Sequence, residues 1–468
     1  MSRYAYAGGS PLALGAAVGS GGEATVYAVL GSPAQAAKIY HQPTSLRAAK
    51  LRVMQANPPR DPSADTEHPS IAWPLGLVYD SGGTPVGFLM PRFPGGSFRP
   101  LLEFYNPQTR LEHAPGFTWA YLLRTAANLA AVVAALHAQG TVVGDLNESN
   151  LLVNRSALVT LIDCDSMQVT GQDGTVFRCP VGKPEYTPPE LQGVDFSRVD
   201  RVPAHDLFGL AVLVSLLLLE GVHPFQGVWQ GAGDPPTLEA NIAAGRCPYV
   251  GAPDLRPPPY ALPFQILPPA VQDLLRRCFG PGATDPAARP PAAEWKAVLA
   301  AAADDLATCP INPQHRYSTH LGTDCPWCAR IARLQLPDPF PLPGQEPPRR
   351  ERSTRRALPR VATGGGRRPA LPPLIAGGGR GGSVLTPTPH WTPSGVAVAG
   401  GGGACLGCVG ALFVALFLLG ALTDPRINRS AESIRAAATA TARAAPLPPI
   451  LTPLPPSLPL PPLAPRLR

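Results

Sequence analysis

Two aspartates and an asparagine lie close together in the sequence, in a spacing that suits chemistry on phosphate groups. Asp145 and Asn150 are five positions apart in a polar stretch, and Asp163 follows a short apolar run. A carboxylate on a tight loop can orient a hydroxyl group and accept its proton. Mg²⁺ prefers one or two carboxylates together with the phosphate oxygens of a substrate. We therefore expect Asp145 to act as a base, and Asn150 and Asp163 to hold Mg²⁺.

A glycine-rich segment and a lysine precede this group. The segment Gly19-Ser-Gly21-Gly-Glu-Ala24-Thr-Val26 lies between two predicted strands. Its glycines let backbone amides approach phosphates without a clash of Cβ atoms. Lys38 follows on the next predicted strand, twelve positions after Val26, from where it can reach the α- and β-phosphates. The alternatives are a chance match in a glycine-rich chain and an ordinary surface lysine.

A second group combines cysteine and histidine in a spacing typical of metal sites. Cys309, His315, Cys325 and Cys328 form the pattern C-x5-H-x9-C-x2-C. A Cys-Pro-Trp-Cys turn suits two thiolates on one tetrahedral Zn²⁺, which would stabilise a short proline-rich segment. His320 competes with His315 for the remaining ligand position. A redox Cys-x-x-Cys pair and unpaired cysteines are the alternatives, but no strand–helix redox context surrounds the pair, so we favour structural zinc.

The elements that must position these residues are mostly readable from apolar periodicity. The sequence predicts strands around the glycine-rich turn within residues 12–40. It predicts helices over residues 44–56, 117–139, 205–221, 237–244, 268–279 and 292–307. The segment 205–221 could be mistaken for a membrane span. Its apolar run of 13 residues is too short to cross a bilayer, so we expect a buried core helix.

The order of these motifs resembles the bacterial eukaryotic-like serine/threonine protein kinase family over roughly residues 12–305. The resemblance implies an α+β, bilobal protein kinase-like fold with a β-rich N-lobe and a helical C-lobe. It also implies site roles: Gly19, Gly21 and Val26 in the nucleotide-covering loop, Lys38 as the strand lysine, Asp145 as the catalytic-loop base, Asn150 and Asp163 as Mg²⁺ ligands for ATP, Pro189-Glu190 at the end of the activation segment, Asp206 as the brace of the catalytic loop, and Arg289 as the partner of Glu190. The Cys/His pattern resembles small zinc-knuckle modules appended to some of these kinases.

The sequence departs from the family pattern at several positions: Ala24 replaces the third loop glycine, Val143-Gly144 the usual His-Arg, Asn147 a lysine, and Cys164-Asp165 the usual Phe-Gly. No acid lies between Lys38 and Asp61, so the helix over 44–56 offers only Gln55 in place of the glutamate that pairs with the strand lysine, and Glu67 lies beyond that helix. Two functions therefore stay open. One is transfer of the ATP γ-phosphoryl group to protein Ser/Thr hydroxyls, and the other is a nucleotide-binding pseudokinase acting as a membrane-tethered signalling scaffold.

Composition divides the chain into a folded part and a low-complexity part. The 468 residues include 61 Pro and 47 Gly, yet 45% are hydrophobic, which excludes disorder throughout. We predict a kinase-like domain over 1–308, a Cys/His module over 309–334, a disordered Pro/Gly/Arg-rich linker over 335–395, a transmembrane helix over 396–422, and a Pro-rich extracytoplasmic tail over 423–468. The predicted span holds 27 residues without a charge.

The net charge of +7 is concentrated beside the predicted span. Nine arginines and one acid lie between Arg349 and Arg380, which leaves the rest of the chain close to neutral and argues against nucleic-acid binding. Basic residues flank membrane spans on the cytoplasmic side. No signal-peptide pattern opens the sequence. We therefore expect a single-pass cell-membrane protein with a cytoplasmic kinase-like domain. The arginine run either contacts anionic lipid or is a solvated linker.

Overall fold

The computed structural model describes residues 4–6, 10–66, 68–93 and 96–345. All of the described residues belong to one compact unit. The predicted span, the tail and the linker from 346 onward lie outside the described residues, as does Glu67.

The strands follow the alternation of small and branched apolar residues in the first hundred positions, and shorter strands occur later. They are β1 Tyr4–Tyr6, β2 Pro11–Leu12, β3 Leu14–Ser20, β4 Ala24–Val29, β5 Gln35–Tyr40, β6 Gly76–Tyr79, β7 Pro85–Pro91, β8 Phe98–Pro100, β9 Leu151–Asn154, β10 Val159–Leu161, β11 Val169–Thr170, β12 Val176–Phe177, β13 Val228–Trp229, β14 Leu255–Arg256, β15 Leu306–Thr308 and β16 Arg316–Ser318.

The α-helices lie mainly in the second half of the described chain. They are α1 Ser45–Ala56, α2 Leu102–Tyr105, α3 Pro107–His113, α4 Trp119–His137, α5 Pro203–Leu218, α6 Leu238–Ala243, α7 Pro269–Phe279, α8 Ala292–Asp304 and α9 Pro326–Leu334.

An antiparallel sheet forms the amino-terminal lobe. Within the described residues its strand order is β2-β1-β6-β7-β5-β4-β3. In this register Gly19 lies opposite Val26, and Val26 lies opposite Lys38. The glycine-rich turn between β3 and β4 and the lysine on β5 therefore belong to one continuous surface. Helix α1 packs on this sheet against β6 and β7, and the Trp73 indole donates a hydrogen bond to the carbonyl of Met54 at 2.9 Å.

Helix α4 is the centre of the helical carboxy-terminal lobe, where it packs against α5 and α8. Among the described residues it is the one helix long and apolar enough, by length and composition only, to cross a bilayer, and 83% of its apolar window is buried in the protein. Helix α5 is also buried along nearly its whole length. The predicted core helix over 205–221 is thereby confirmed, and so is the bilobal α+β fold.

Helix α8 ends earlier than the sequence predicts. It stops at Asp304, and residues 306–308 form β15, which pairs with β16. Asp305 leaves the helical conformation, and its carboxylate accepts a hydrogen bond at 2.7 Å from the Thr319 hydroxyl beyond β16. The predicted helix over 292–307 is therefore wrong at its carboxyl end, because pairing with β16 replaces the last helical turn.

The Cys/His module packs into the core of the carboxy-terminal lobe. The Trp327 ring is fully buried, with its centroid 5.9 Å from that of Trp119 at the start of α4 and 5.0 Å from that of Phe340. Residues 335–345, which the sequence assigns to the linker, thus contribute to this packing. The Arg110 guanidinium lies 4.7 Å from the Phe340 ring and donates to the carbonyl of Pro339.

Candidate functional site

Lys38 contacts two carboxylates at the junction of the two lobes. Its Nζ donates to Asp163 Oδ1 and, at 2.6 Å, to Asp165 Oδ1. The Tyr40 hydroxyl donates to Asp165 Oδ2 at 2.8 Å. Burial opposes the positive charge of Lys38, but Asp165 and Asp163 outweigh it and raise the pKa of Lys38 above its usual value. Lys38 is therefore held as a cation.

Asp163 is the more accessible of the two carboxylates. Its side chain is 44% exposed, whereas that of Asp165 is 8% exposed. The Asp163 backbone has a φ of 61°, a left-handed conformation that a non-glycine residue rarely adopts and that recurs at functional sites. An exposed carboxylate beside a fixed cation fits the expected Mg²⁺ and phosphate chemistry.

The loop between α4 and β9 carries the predicted base. The Asn147 amide donates to Asp145 Oδ1 at 2.8 Å, and the Asn150 amide donates to Asp145 Oδ2 at 3.1 Å and to the Asp145 carbonyl at 3.0 Å. The backbone N–H of Ile162 donates to the carbonyl of Asn150 at 2.9 Å, which joins this loop to the residue before Asp163. The backbone of the loop that carries Asp145 and Asn150 is thus tied to the residue that precedes Asp163.

Asp206 fixes the start of this loop from the first turn of α5. Its carboxylate accepts hydrogen bonds from the backbone N–H of Val143 at 2.7 Å and of Gly144 at 2.8 Å. His137 Nε2, at the end of α4, lies 2.9 Å from the same carboxylate. Because Asp206 is 3% exposed, these bonds form in a dry environment where they are strong.

Arg201 occupies the space next to Gly144. Its guanidinium donates to the carbonyl of Gly144 and, at 2.6 Å, to the carbonyl of Val181, and it lies 3.9 Å from the centroid of the Phe196 ring. Gly144 has a φ of 75°, and a Cβ there would lie 2.7 Å from Cys179 Cβ and 2.9 Å from Arg201 Nη1. Arg201 is buried and lies outside the loop, and it thus joins the loop to the segment around Val181.

The end of that segment is fixed by a bidentate ion pair. Both amino groups of Arg289 lie 2.7 Å from the Glu190 carboxylate oxygens, and Arg289 Nε donates to the carbonyl of Gly282 at 2.8 Å. The Arg289 side chain is fully buried. Planar paired bonds of this kind combine energy with geometric specificity.

Lys183 supplies a cation beside the catalytic loop, where Asn147 stands in place of the family's lysine. Lys183 Nζ lies 2.5 Å from the Ser149 hydroxyl and 3.2 Å from Glu148 Oε1. The segment after Val181 therefore brings a positive charge next to the loop that holds Asp145.

The glycine-rich turn is short. The backbone N–H of Gly21 donates to the carbonyl of Ala24 at 3.0 Å. A Cβ on Gly19 or Gly21 would meet no atom within 4 Å, so these glycines leave the turn open on the side away from the protein. Nothing in the turn's own packing requires glycine, which fits a role in the close approach of a ligand.

Helix α1 offers Lys38 no acidic partner. The Gln55 amide faces β6, and with its oxygen and nitrogen exchanged the oxygen accepts from the backbone N–H groups of Gly76 and Leu77 at 2.9 Å. Within α1, Lys50 interacts electrostatically with both Asp165 and Asp163. Burial lowers the pKa of Lys50 to about 8, while Cys179, Asp165 and Asp163 act in the opposite direction.

The four predicted zinc ligands converge. The ligand atoms of Cys309, His315, Cys325 and Cys328 lie within 4.8 Å of one another, and His315 Nδ1 is 3.5 Å from Cys325 Sγ and 3.4 Å from Cys328 Sγ. Burial and the neighbouring thiols raise the pKa of Cys328, a cost that a bound cation removes. Three sulfurs and one imidazole nitrogen in this space fit tetrahedral Zn²⁺.

His320 lies outside this cluster. Its Nδ1 is 2.8 Å from the Ser318 hydroxyl, and its Nε2 is 3.0 Å from the carbonyl of Gln265. His315 is therefore the histidine of the cluster. Its other ring nitrogen lies 2.9 Å from Asp338 Oδ1, the arrangement that orients a metal-bound imidazole.

Three of these contacts were not predicted from the sequence. Asp165 was visible as the second acid of Asp163-Cys-Asp165, and together with the absence of an acid on α1 it could have been assigned to Lys38. No sequence pattern near Arg201 or Asp338 predicts their contacts, because each contacts a residue more than 20 positions away.

Two curated proteins that are similar to this chain in sequence are named protein kinases. No protein-family model matches the chain. It is similar to "Protein kinase YegI" of Escherichia coli O157:H7, with 37% identity over 322 residues that cover 67% of this chain and 48% of the relative. "Protein kinase YegI" of Escherichia coli strain K12 is 36% identical over 323 residues, which cover 68% of this chain and 48% of that relative. The chain thus spans about half the length of these curated relatives.

Among solved structures, the ROP18 kinase domain in complex with AMP-PNP and sucrose matches with a TM-score of 0.43 and 19% identity, covering 65% of this chain and 86% of that one. The described residues form a two-lobed α+β fold with a β-rich amino-terminal lobe and a helical carboxy-terminal lobe. In sequence, the chain is related to the YegI protein kinases over about two thirds of its own length, which supports a divergent bacterial protein kinase.

Proposed function

We propose that the chain is a membrane-anchored serine/threonine protein kinase that transfers the ATP γ-phosphoryl group to protein hydroxyls. The observation that carries this proposal is the convergence of Lys38, Asp163 and the Asp145–Asn150 loop at the junction of the lobes. Groups suited to binding phosphate, ligating a metal ion and accepting a proton support this proposal.

Each residue has a defined task in this transfer. Lys38 binds phosphate oxygens, and Asp163 and Asn150 hold Mg²⁺, which when bound neutralises negative charge on the phosphates. Asp145 orients the acceptor hydroxyl and takes its proton as the oxygen bonds to the γ-phosphorus. The bond from that phosphorus to the bridging oxygen breaks, and ADP leaves with the electron pair. Arg201 and Asp206 keep the loop of Asp145 in place.

A phosphotransfer assay on the full chain in detergent tests the proposal. With radiolabelled ATP and a general protein substrate, Asp145→Asn should lower the rate by about 10²–10⁴-fold, since it removes the base. Asp173→Asn is the matched control, because Asp173 is an exposed acid bonded only to nearby Thr175. Equal labelling by wild type and Asp145→Asn would contradict the enzyme, and phosphotyrosine as the sole product would contradict Ser/Thr specificity.

The membrane anchor rests on the 27 uncharged residues over 396–422 and the arginine-rich stretch that precedes them. The full chain should remain with membranes after an alkaline wash, and a variant lacking residues 396–422 should not. Recovery of the full chain in the washed supernatant would contradict the anchor.

A nucleotide-binding pseudokinase scaffold is the second candidate function. It is favoured by the absence of an acid on α1 and by Asn147 in place of a lysine. This candidate predicts ATP binding without transfer to any protein, and cells carrying Lys38→Met that behave like wild type.

A further inference from the structure

Lys38 has a buried carboxylate partner, and that partner does not come from helix α1. We propose that Asp165 is the residue that positions Lys38 for nucleotide phosphates, in the place that the family pattern gives to an acid on the helix. The inference rests on the proposed nucleotide chemistry of this site. It assigns a role to a residue at which the sequence departs from the family pattern.

Asp165 is bound from the sheet through both of its oxygens. Lys38 Nζ lies 2.6 Å from Oδ1, and the Tyr40 hydroxyl donates to Oδ2 at 2.8 Å. Lys38 and Tyr40 are two positions apart on β5, so their side chains leave the same face of the strand. The carboxylate is therefore fixed between two neighbouring side chains of one strand, which leaves it little freedom to turn toward a ligand.

Asp163 and Asp165 thus differ in exposure and in the role that each can have. Asp165 is 8% exposed and is engaged by Lys38 and Tyr40, whereas Asp163 is 44% exposed. A buried carboxylate that accepts one hydrogen bond on each oxygen, as Asp165 does, suits the positioning of a cation. An exposed one suits direct contact with a metal ion and phosphates. The short Asp163-Cys-Asp165 segment supplies both, and Cys164 between them is buried in the core.

Helix α1 has no group that could replace Asp165. Its twelve residues include no acid, and the amide of Gln55 is bound to the backbone of β6. Lys50 brings a positive charge toward Asp165 and Asp163, which is the opposite of the charge that a lysine partner needs. Lys38 is therefore held by the segment after β10, and its position does not depend on α1.

The test measures ATP affinity and kinetics on the full chain in detergent. A fluorescent ATP analogue with Mg²⁺ gives Kd, and the phosphotransfer assay gives KM and kcat. In Asp165→Asn, loss of a charged hydrogen bond should raise Kd and KM by about tenfold to a hundredfold, with a smaller change in kcat. Asp165→Glu should recover part of the affinity, because it restores the charge. Asp173→Asn and Gln55→Ala should keep the wild-type Kd.

Tyr40→Phe is a milder variant for the case in which Asp165→Asn does not fold. It removes one neutral donor to the carboxylate and should raise Kd by about twofold to tenfold. An unchanged Kd in every one of these variants that folds would overturn the inference. A raised Mg²⁺ requirement with unchanged ATP affinity would also overturn it, because Asp165 would then be a metal ligand.

The same measurements separate this inference from the proposed function. If the wild-type chain binds ATP and transfers no phosphate, the kinase proposal fails, and the Kd values of the Asp165 variants still decide the role of Asp165. If the wild-type chain does not bind ATP, both fail. Loss of affinity in Gln55→Ala equal to that in Asp165→Asn would place the support of Lys38 on α1 and overturn the inference alone.

Discussion

The candidate nucleotide site around Lys38, Asp145 and Asp163, here called the cleft, and the Cys/His cluster of residues 309–328 differ in how far apart in the sequence their residues lie. The four cluster ligands lie within residues 309–328, and short turns bring them together. In the cleft, Lys38 meets carboxylates that are 125 and 127 positions further along the chain. The geometry of the cluster is therefore set mainly by local structure, whereas the geometry of the cleft depends on how the two lobes pack.

This difference leads us to expect that residue substitutions affect the two regions differently. A tetrahedral metal site needs all of its ligands at once, so its residue pattern is complete. A lysine needs only a nearby carboxylate, and packing can supply it from several elements. Asp165, in place of an acid on α1, is such a replacement within the cleft.

Chelation of the zinc that we expect in the Cys/His cluster should have the largest effect of any single change. A structural zinc site contributes on the order of 10 kcal/mol to folding. Because Trp327 lies in the same core as Trp119, chelation should lower the thermal midpoint of the whole kinase-like domain. We expect one equivalent of zinc by elemental analysis of the full chain, and loss of zinc in Cys325→Ser.

His320→Ala is the control for that experiment, because His320 bonds to Ser318 and Gln265 outside the cluster and should keep its zinc. Less than half an equivalent of zinc in wild type, or a thermal midpoint that chelation leaves unchanged, would contradict the metal site.

The sequence predicted more of the cluster than of the cleft's internal contacts. Spacing alone found the four ligands, but it left His315 and His320 as alternatives, because turn geometry decides between them. In the cleft, Asp145, Asn150 and Asp163 were selected because their order along the chain is characteristic, and their roles stay predictions. Arg201 and Asp338 were not found, since a buried charge can be paired by any residue that tertiary packing brings near.

Gly144→Ala tests whether the cleft depends on this packing. A Cβ at this position would clash with Cys179 and Arg201, which should destabilise the domain by about 1–3 kcal/mol and lower phosphotransfer. Gly174→Ala is the matched control. Its φ of 81° is similar to the 75° of Gly144, but a Cβ there would meet no atom within 4 Å.

The difference in unfolding free energy between these two variants isolates the contact with Arg201 from the backbone strain that both share. It is measured by denaturant unfolding of the full chain, with phosphotransfer rates in parallel. Equal losses of stability in the two variants would show that the close approach of Arg201 and Cys179 to Gly144 contributes nothing.

Asp338→Asn tests the smallest of the expected effects, at the edge of the cluster. Asp338 lies 2.9 Å from His315 Nε2 and also accepts hydrogen bonds from the Asn312 amide at 3.1 Å and the backbone N–H of Phe340 at 2.8 Å. Loss of its charge should weaken zinc binding by about tenfold to a hundredfold, because the imidazole becomes a poorer donor to the metal.

Competition with a chelator of known zinc affinity measures this change, and Asp324→Asn is the control because Asp324 is an exposed acid beside the cluster. A loss of affinity confined to Asp338→Asn would show that the cluster, despite its compact ligand pattern, also depends on a residue that the ligand spacing does not reveal. Equal zinc affinity in both variants would mean that the ligands within residues 309–328 are sufficient. The contrast with the cleft would then be sharper than the structure indicates.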